Sequence, residues 1–199
     1  ILGDTTPPIT TITLTGTPGL DGWYISDVTV NFTATDDLSG VASTEYSLDG
    51  TTWTPYTGLI TISSEGTTTI YYRSIDNAGN IEETKSQTIK IDKTAPVVTI
   101  TAPTAGSYYK SVNVPAAAYS VTELNPYTVV ESGYSTSEGV QTYTVTATDV
   151  AGNVGTASVT YTVDNTDPVV TIIAPADGGH YNVGTVPSLD YTVVESSPY

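Results

Sequence analysis

The stretch that decides the fold runs from Tyr143 to Asn153 and reads Tyr-Thr-Val-Thr-Ala-Thr-Asp-Val-Ala-Gly-Asn. Its first six residues alternate between apolar and hydroxylated side chains, a pattern typical of an antiparallel strand with one buried face. Its last five residues carry Asp, Gly and Asn, which favour a tight turn. A turn of the same type, Asp76-Asn-Ala-Gly-Asn80, occurs earlier in the chain. Together these patterns predict an all-β protein.

Recurring markers divide the chain into repeats. The pattern Asp-x-Thr-x-Pro begins at Asp4, Asp92 and Asp164, at spacings of 88 and 72 residues, the size of one small β-sandwich. Segments 96–127 and 168–199 align without a gap and are identical at half of their 32 positions. Self-similarity at a fixed period indicates a tandem array of one structural unit.

A second marker lies near the end of each complete repeat. The pair Glu65-Gly66 stands 11 residues before Asp76, and the pair Glu138-Gly139 stands 11 residues before Asp149. Between the markers, Val28, Val30, Phe32 and Ala34 alternate with polar residues in the same way as the stretch from Tyr143. Turn residues punctuate these strands every 8–12 residues or so, the rhythm expected of a β-sandwich.

The chain resembles the bacterial and archaeal immunoglobulin-like repeats of large cell-surface proteins. The resemblance rests on Gly22-Trp23-Tyr24, on Tyr46-Ser-Leu-Asp-Gly50 with Trp53, and on Asp76-x-Ala-Gly-Asn followed by Asp-x-Thr-x-Pro. It implies tandem immunoglobulin-like Greek-key β-sandwiches in an adhesin, stalk or surface-layer type of protein. We expect the end of a preceding repeat or linker at 1–6, the first repeat at 7–93, the second at 94–165, and the N-terminal part of a third at 166–199.

Composition restricts the possible partners. The formal net charge is −16, from 21 acidic residues against 5 basic ones, so binding to nucleic acid through clustered Lys and Arg is not expected. Cysteine is absent, which excludes disulfides and thiolate metal sites. No window approaches 18 apolar residues, so we expect no direct membrane insertion of this segment. Threonine makes up about a fifth of the chain, as suits half-buried strands.

Catalysis is not expected. The only histidine, His180, lies beside Gly178 and Gly179, where a solvated turn is the simpler explanation than a catalytic base. The acids recur once per repeat at turns, whereas a catalytic carboxylate pair would normally occur once. We therefore expect a protein that is not an enzyme and that requires no cofactor.

The repeated acids also suggest a cation site. In an immunoglobulin-like sandwich, the B–C loop, the F–G loop and the incoming linker meet at one end. The residues expected there are Asp4 with Asp36, Asp37 and Asp76; Asp92 with Glu123 and Asp149; and Asp164 with Glu195. Carboxylates with carbonyl and Asn oxygens suit Ca²⁺, which takes six to eight oxygen ligands. The alternative is that these acids only bond their own turns, and the two are compatible.

Two surface features are candidates for other contacts. Asn31-Phe32-Thr33 is a glycosylation sequon, and the alternation places Asn31 on the outward face. Trp23, Trp53, Tyr46 and Tyr56 could form a platform for a sugar, although packing against the sandwich is the expectation.

The expected role is a structural or adhesive spacer of a secreted cell-envelope protein, located outside the cell or at its surface. Its expected partners are the neighbouring repeats of the same chain, with other copies of itself or surface glycans and proteins as further possibilities. The alternatives are an accessory module of a large secreted hydrolase and a filament subunit whose third repeat is completed by strands of another chain.

Overall fold

The structure is a computed structural model and describes residues 3–195. The first eight strands are β1 (Ile9–Thr15), β2 (Trp23–Tyr24), β3 (Val28–Thr35), β4 (Val41–Ser47), β5 (Thr54–Pro55), β6 (Ile60–Ile62), β7 (Gly66–Asp76) and β8 (Lys85–Ile91). They correspond to the predicted first repeat, and their alternating side chains explain why they form strands and not helices.

The next eight strands are β9 (Val97–Ala102), β10 (Tyr108–Tyr109), β11 (Ala118–Thr122), β12 (Tyr127–Ser132), β13 (Gly139–Asp149), β14 (Val154–Val163), β15 (Val169–Ala174) and β16 (Asp190–Val194). Among the described residues, the one helical segment is a 3-10 turn at Ser111–Asn113. The prediction of an all-β chain is confirmed. Over the described range, no helix has the length and apolar character that crossing a membrane requires.

The first eight strands form two sheets that enclose a core. One sheet has the order β1-β3-β6 and the other β2-β8-β7-β4-β5. The sequence neighbours β3 and β4 lie in different sheets, as in a Greek-key sandwich. The core between the sheets holds Val28, Val30, Phe32, Ile62, Ile70, Tyr72, Ile89 and Ile91, each at most 6% exposed. The alternation predicted for β3 therefore points its apolar side chains inward.

The short strand β2 closes the second sheet by pairing in parallel with β8, so that Trp23 faces Lys90 and Tyr24 faces Ile91. The pairing continues one residue further, because the N–H of Asp92 donates to the carbonyl of Tyr24 at 2.9 Å. The strands β10 and β14 pair in parallel in the same way. There the N–H of Asp164 donates to the carbonyl of Tyr109, also at 2.9 Å.

A buried polar network joins β1 to the segment between β7 and β8. Glu82 is only 6% exposed. Its carboxylate accepts hydrogen bonds from the N–H and hydroxyl of Thr10 and pairs with the Lys85 ammonium at 2.6 Å. Lys85 also donates to the Thr10 carbonyl at 2.8 Å. Because each buried charge has a partner, the network stabilises the packing of β1 without an unpaired ion.

The remaining strands form a sheet of order β10-β14-β13-β12, a pair β11-β9, and an antiparallel pair β15-β16. The side chains of Tyr143, Val145, Ala147, Tyr161 and Val163 are at most 1% exposed, as the alternation of β13 and β14 predicts. In contrast, the apolar side chains of β15 and β16 are exposed, including Val170 at 58% and Ile172 at 64%. The third repeat is thus described as a two-stranded hairpin, in agreement with its predicted incompleteness.

The chain divides into two compact units. The first holds the described residues up to Val98 together with Val121–Val130 and Thr146–Thr156. The second holds Thr99–Ser120, Glu131–Val145 and the described residues from Ala157 onward. The predicted repeat boundaries at 93 and 165 remain predictions, and the Pro-Tyr pair that ends the sequence alignment lies outside the described residues.

Candidate functional site

Three acids that the sequence predicts to converge do meet at one end of the first sandwich. Asp4 precedes β1, Asp36 follows β3 and Asp76 ends β7, and one carboxylate oxygen from each lies within 4.8 Å of the others. Asp76 is 2% exposed and Asp4 is 9% exposed. Asp37 was predicted in the same set, but its side chain is exposed and outside this cluster. We call Asp4, Asp36 and Asp76 the first acid cluster.

Backbone N–H groups offset the repulsion within the first acid cluster. One oxygen of Asp76 accepts the N–H groups of Ala78 at 2.9 Å and Asn80 at 2.7 Å. Asp4 accepts the N–H groups of Thr6 and Ser39 at 3.1 and 2.9 Å. Burial opposes ionisation of Asp76, but hydrogen bonds from Asn80, Gly79 and Ala78 outweigh it and lower its pKa. Hydrogen bonds from Ser39 and Thr6 likewise lower the pKa of Asp4.

Asp36 differs from its two neighbours. Its Oδ2 accepts the N–H groups of Leu38 at 3.1 Å and Gly40 at 2.8 Å, which shapes the loop after β3. Its Oδ1 is buried and has no hydrogen-bond partner, alone among the buried side-chain polar atoms of residues 3–195. A buried acceptor without a donor costs free energy, so this oxygen requires an explanation.

A second acid cluster has the same construction. Asp92 follows β8, Glu123 lies between β11 and β12, and Asp149 ends β13, again with one oxygen from each within 4.8 Å. Asp92 accepts the Asn125 side-chain amide at 2.6 Å, and Glu123 accepts the N–H of Asn125 at 2.9 Å. All of these residues belong to the first compact unit.

The last Asn of each Asp-x-Ala-Gly-Asn turn links the turn to the linker. The Asn80 amide donates to the Asp76 carboxylate at 2.6 Å and to the Asp4 carbonyl at 3.3 Å. The Asn153 amide donates to the Asp149 carboxylate at 2.9 Å and to the Asp92 carbonyl at 3.1 Å. These Asn side chains therefore act as donors, whereas the sequence analysis expected their oxygens to face a cation.

The Glu-Gly marker has a role that the sequence analysis did not assign. Glu65 accepts the N–H of Lys93 at 2.8 Å and the hydroxyl of Thr94 at 2.9 Å, just after Asp92. In the second compact unit, Glu138 accepts the N–H and the side-chain amide of Asn165, each at 2.9 Å, just after Asp164. The equal spacing of Glu-Gly and Asp was the available signal, because it places each Glu opposite a linker.

The third predicted set is not assembled in the same way. Asp164 accepts the N–H of Thr166 at 2.8 Å. The Lys110 ammonium pairs with Asp167 at 2.6 Å. Its pKa is raised, first by the hydrogen bond to Asp167 and then by the charges of Asp167, Asp164 and Glu195. Within the described residues, no third carboxylate joins Asp164 and Glu195.

The other candidate residues take part in the sandwich surface. Asn31 is exposed on β3, and its oxygen accepts the Tyr56 hydroxyl at 2.8 Å. Tyr46 and Tyr56 pack against the core, as expected. Arg73 stacks 4.0 Å from the Trp53 ring and pairs with Glu45 at 2.6 Å. The aromatic residues therefore serve packing within the first repeat.

Comparison with known proteins adds one structural likeness. No protein-family model matches the chain, and no curated protein matches it. A solved structure of fibronectin(III)-like modules of CbhA from Clostridium thermocellum is similar at 16% identity and a TM-score of 0.38. That likeness covers 77% of this chain and 94% of the other.

Proposed function

We propose that the chain is a non-catalytic structural spacer of an extracellular cell-envelope protein, in which each repeat has the neighbouring repeats as its first partners. The observation that carries the proposal is the use of the repeated acids. Asp76 and Asp149 both accept the N–H and side-chain amide of an Asn four residues later, and Asp4 and Asp92 both receive that Asn on their carbonyls. An arrangement built twice from the same residues to hold the chain's own backbone supports a structural role.

The linkers fit this role because they have little freedom. The segment from Asp92 to Pro96 is five residues long and includes a proline. It is held by Glu65 on one side and by Asn125 and Asn153 on the other. Short linkers with proline act as semi-rigid spacers. In this proposal the repeats present another part of the parent protein, or contact other copies and surface glycans, while strand pairing and core burial supply the strength.

Location is tested with antibodies raised against the folded chain. The proposal predicts that they label intact cells of the source organism as strongly as permeabilised cells, with an intracellular marker as the negative control. Labelling that appears only after permeabilisation would contradict the extracellular role.

We propose a second function, Ca²⁺ binding at the first acid cluster, on the strength of the buried Oδ1 of Asp36. Asp4 and Asp76 supply further carboxylate oxygens within 4.8 Å, and Ca²⁺ accepts such hard donors in flexible geometry. The second acid cluster offers the same donor type, and Asp164 with Glu195 offers two carboxylates. We expect these to bind more weakly, since Asn125 already occupies Asp92 and Lys110 neighbours Asp164.

The calcium proposal is tested by thermal unfolding of the full chain in millimolar Ca²⁺ and in EDTA. A ligand that binds only the native state raises Tm once its concentration exceeds Kd. The Tm is expected to rise by a few degrees in Ca²⁺, and the rise should disappear in Asp36→Asn but persist in Asp37→Asn. Superimposed curves of the unsubstituted chain in Ca²⁺ and EDTA would exclude the site.

A further inference from the structure

The linker aspartate Asp92 belongs structurally to two repeats. Its N–H donates to the Tyr24 carbonyl and so extends the parallel pairing of β2 with β8 in the first repeat. Its carboxylate accepts the Asn125 amide and its carbonyl accepts the Asn153 amide, both from the second repeat. At 2% exposure it is fully enclosed by these contacts. Neither set of partners alone satisfies this residue.

A second contact inside the first compact unit joins the same two repeats. The N–H of Leu20, in the loop between β1 and β2, donates to the Ala151 carbonyl at 2.8 Å. A Cβ atom at Gly19 would lie 2.3 Å from that carbonyl oxygen, so the loop approaches more closely than any side chain permits. The Leu20 side chain covers Gly152, and Ala151 is fully buried.

We propose that these contacts couple the first two repeats thermodynamically, so that the folded second repeat stabilises the first and the pair unfolds in one cooperative transition. The physical basis is that the buried groups of Asp92 and the Leu20 amide are satisfied only when both repeats are folded. In tandem arrays, stability is the sum of the intrinsic stability of each repeat and the interface terms between neighbours. The inference uses the proposed repeat boundary near residue 93 and does not depend on where the protein is located.

The two tryptophans make the coupling measurable. Trp23 and Trp53 both lie in the first repeat, and they are the only tryptophans of the chain. Tryptophan fluorescence therefore reports the first repeat, whereas far-ultraviolet circular dichroism reports all strands. Val145 in β13 is 0% exposed, so Val145→Ala destabilises the second repeat without touching the first. Under coupling, this substitution lowers the fluorescence-detected urea midpoint of the full chain by on the order of 0.5–1 M.

An uncoupled background identifies the contacts responsible. Gly19→Ala places a methyl group against the Ala151 carbonyl, and Asn125→Ala removes the donor to Asp92. In this double variant, Val145→Ala is expected to shift the circular dichroism transition and to leave the fluorescence transition in place. The matched control combines Gly58→Ala, which meets nothing within 4 Å, with Asn113→Ala at an exposed position, and it should retain the coupling.

Two results would overturn the inference. A fluorescence midpoint that Val145→Ala does not move in the otherwise unsubstituted chain means that the first repeat is independent of the second. A shift that persists in the Gly19→Ala, Asn125→Ala background means that other contacts carry the coupling. If Val145→Ala prevents the second repeat from folding, Tyr161→Phe is a milder substitution with the same readout, since it removes only the hydroxyl bonded to the Ser135 carbonyl and N–H.

Discussion

At the scale of single residues, most of the buried acids of this protein act as hydrogen-bond acceptors for its own backbone. Asp76 and Asp149 each hold a turn, and Asp4 and Asp92 each hold a linker. A carboxylate that accepts several N–H groups favours its ionised form. The net charge of −16 therefore includes charges that are structurally committed and not simply solvated.

These acids predict the direction of the pH dependence. The pKa values of Asp4, Asp76 and Glu82 are all lowered in the folded chain. For a lowered pKa, the stabilisation is complete above the unfolded-state value of about 4 and is lost as the pH falls through the folded-state value. We expect Tm to be nearly constant between pH 5 and 7 on this account and to fall steadily below about pH 4. A Tm that stays level down to pH 2.5 would contradict it.

Glu82 carries the buried network beneath β1. Glu82→Gln keeps the shape but removes the charge that faces Lys85 and turns an amide donor toward the Thr10 N–H. We expect a loss of about 1.5–3 kcal/mol in the free energy of unfolding, since hydrogen bonds to charged groups contribute that much. Urea unfolding measures the loss. Glu83→Gln, at the exposed neighbouring position, is the control and should change stability little.

At the scale of the elements, each long strand of the F type ends in the same turn. β7 ends at Asp76 and β13 ends at Asp149, and the chain then reverses through Gly79 or Gly152. Both glycines have positive φ, at 95° and 93°, a conformation that L side chains rarely adopt. The turn thus depends on Gly for its backbone and on Asp and Asn for its hydrogen bonds.

Alanine substitutions separate these contributions. Gly79→Ala meets no atom within 4 Å, so only its positive φ opposes it, and we expect a loss of about 1–2 kcal/mol. Gly152→Ala also meets the Leu20 side chain at 3.0 Å and should cost more. Gly58→Ala lacks both features and serves as the control in the same denaturation series. Equal stability of all three variants would refute this account of the turn.

The sequence predicted the elements better than the contacts between loops. Alternation in β3 and β13 correctly assigned the inward faces, because the side chains of a strand alternate strictly between two surfaces. The convergence of Asp92, Glu123 and Asp149 also followed from the expected topology. The roles of Glu65 and Asn125 did not follow, since their hydrogen bonds depend on loop conformations that no periodicity encodes.

At the scale of the whole molecule, the same junction chemistry appears in both compact units. Glu65 holds the linker after Asp92 in the first unit, and Glu138 holds the linker after Asp164 in the second. This recurrence explains why the Glu-Gly and Asp-x-Thr-x-Pro markers keep matched offsets in the sequence. A repeat of this kind supplies a half-site at each end, and each junction is completed by its neighbour.

The measurement that tests this account most directly is a double-mutant cycle on Asp92 and Asn125, followed by urea unfolding of the full chain. If the Asn125 amide stabilises the linker carboxylate, Asp92→Ala and Asn125→Ala will be non-additive, with a coupling free energy of about 1 kcal/mol. Purely additive losses would contradict the account, because they would show that the two side chains do not depend on each other and that the junction is not held by its aspartate.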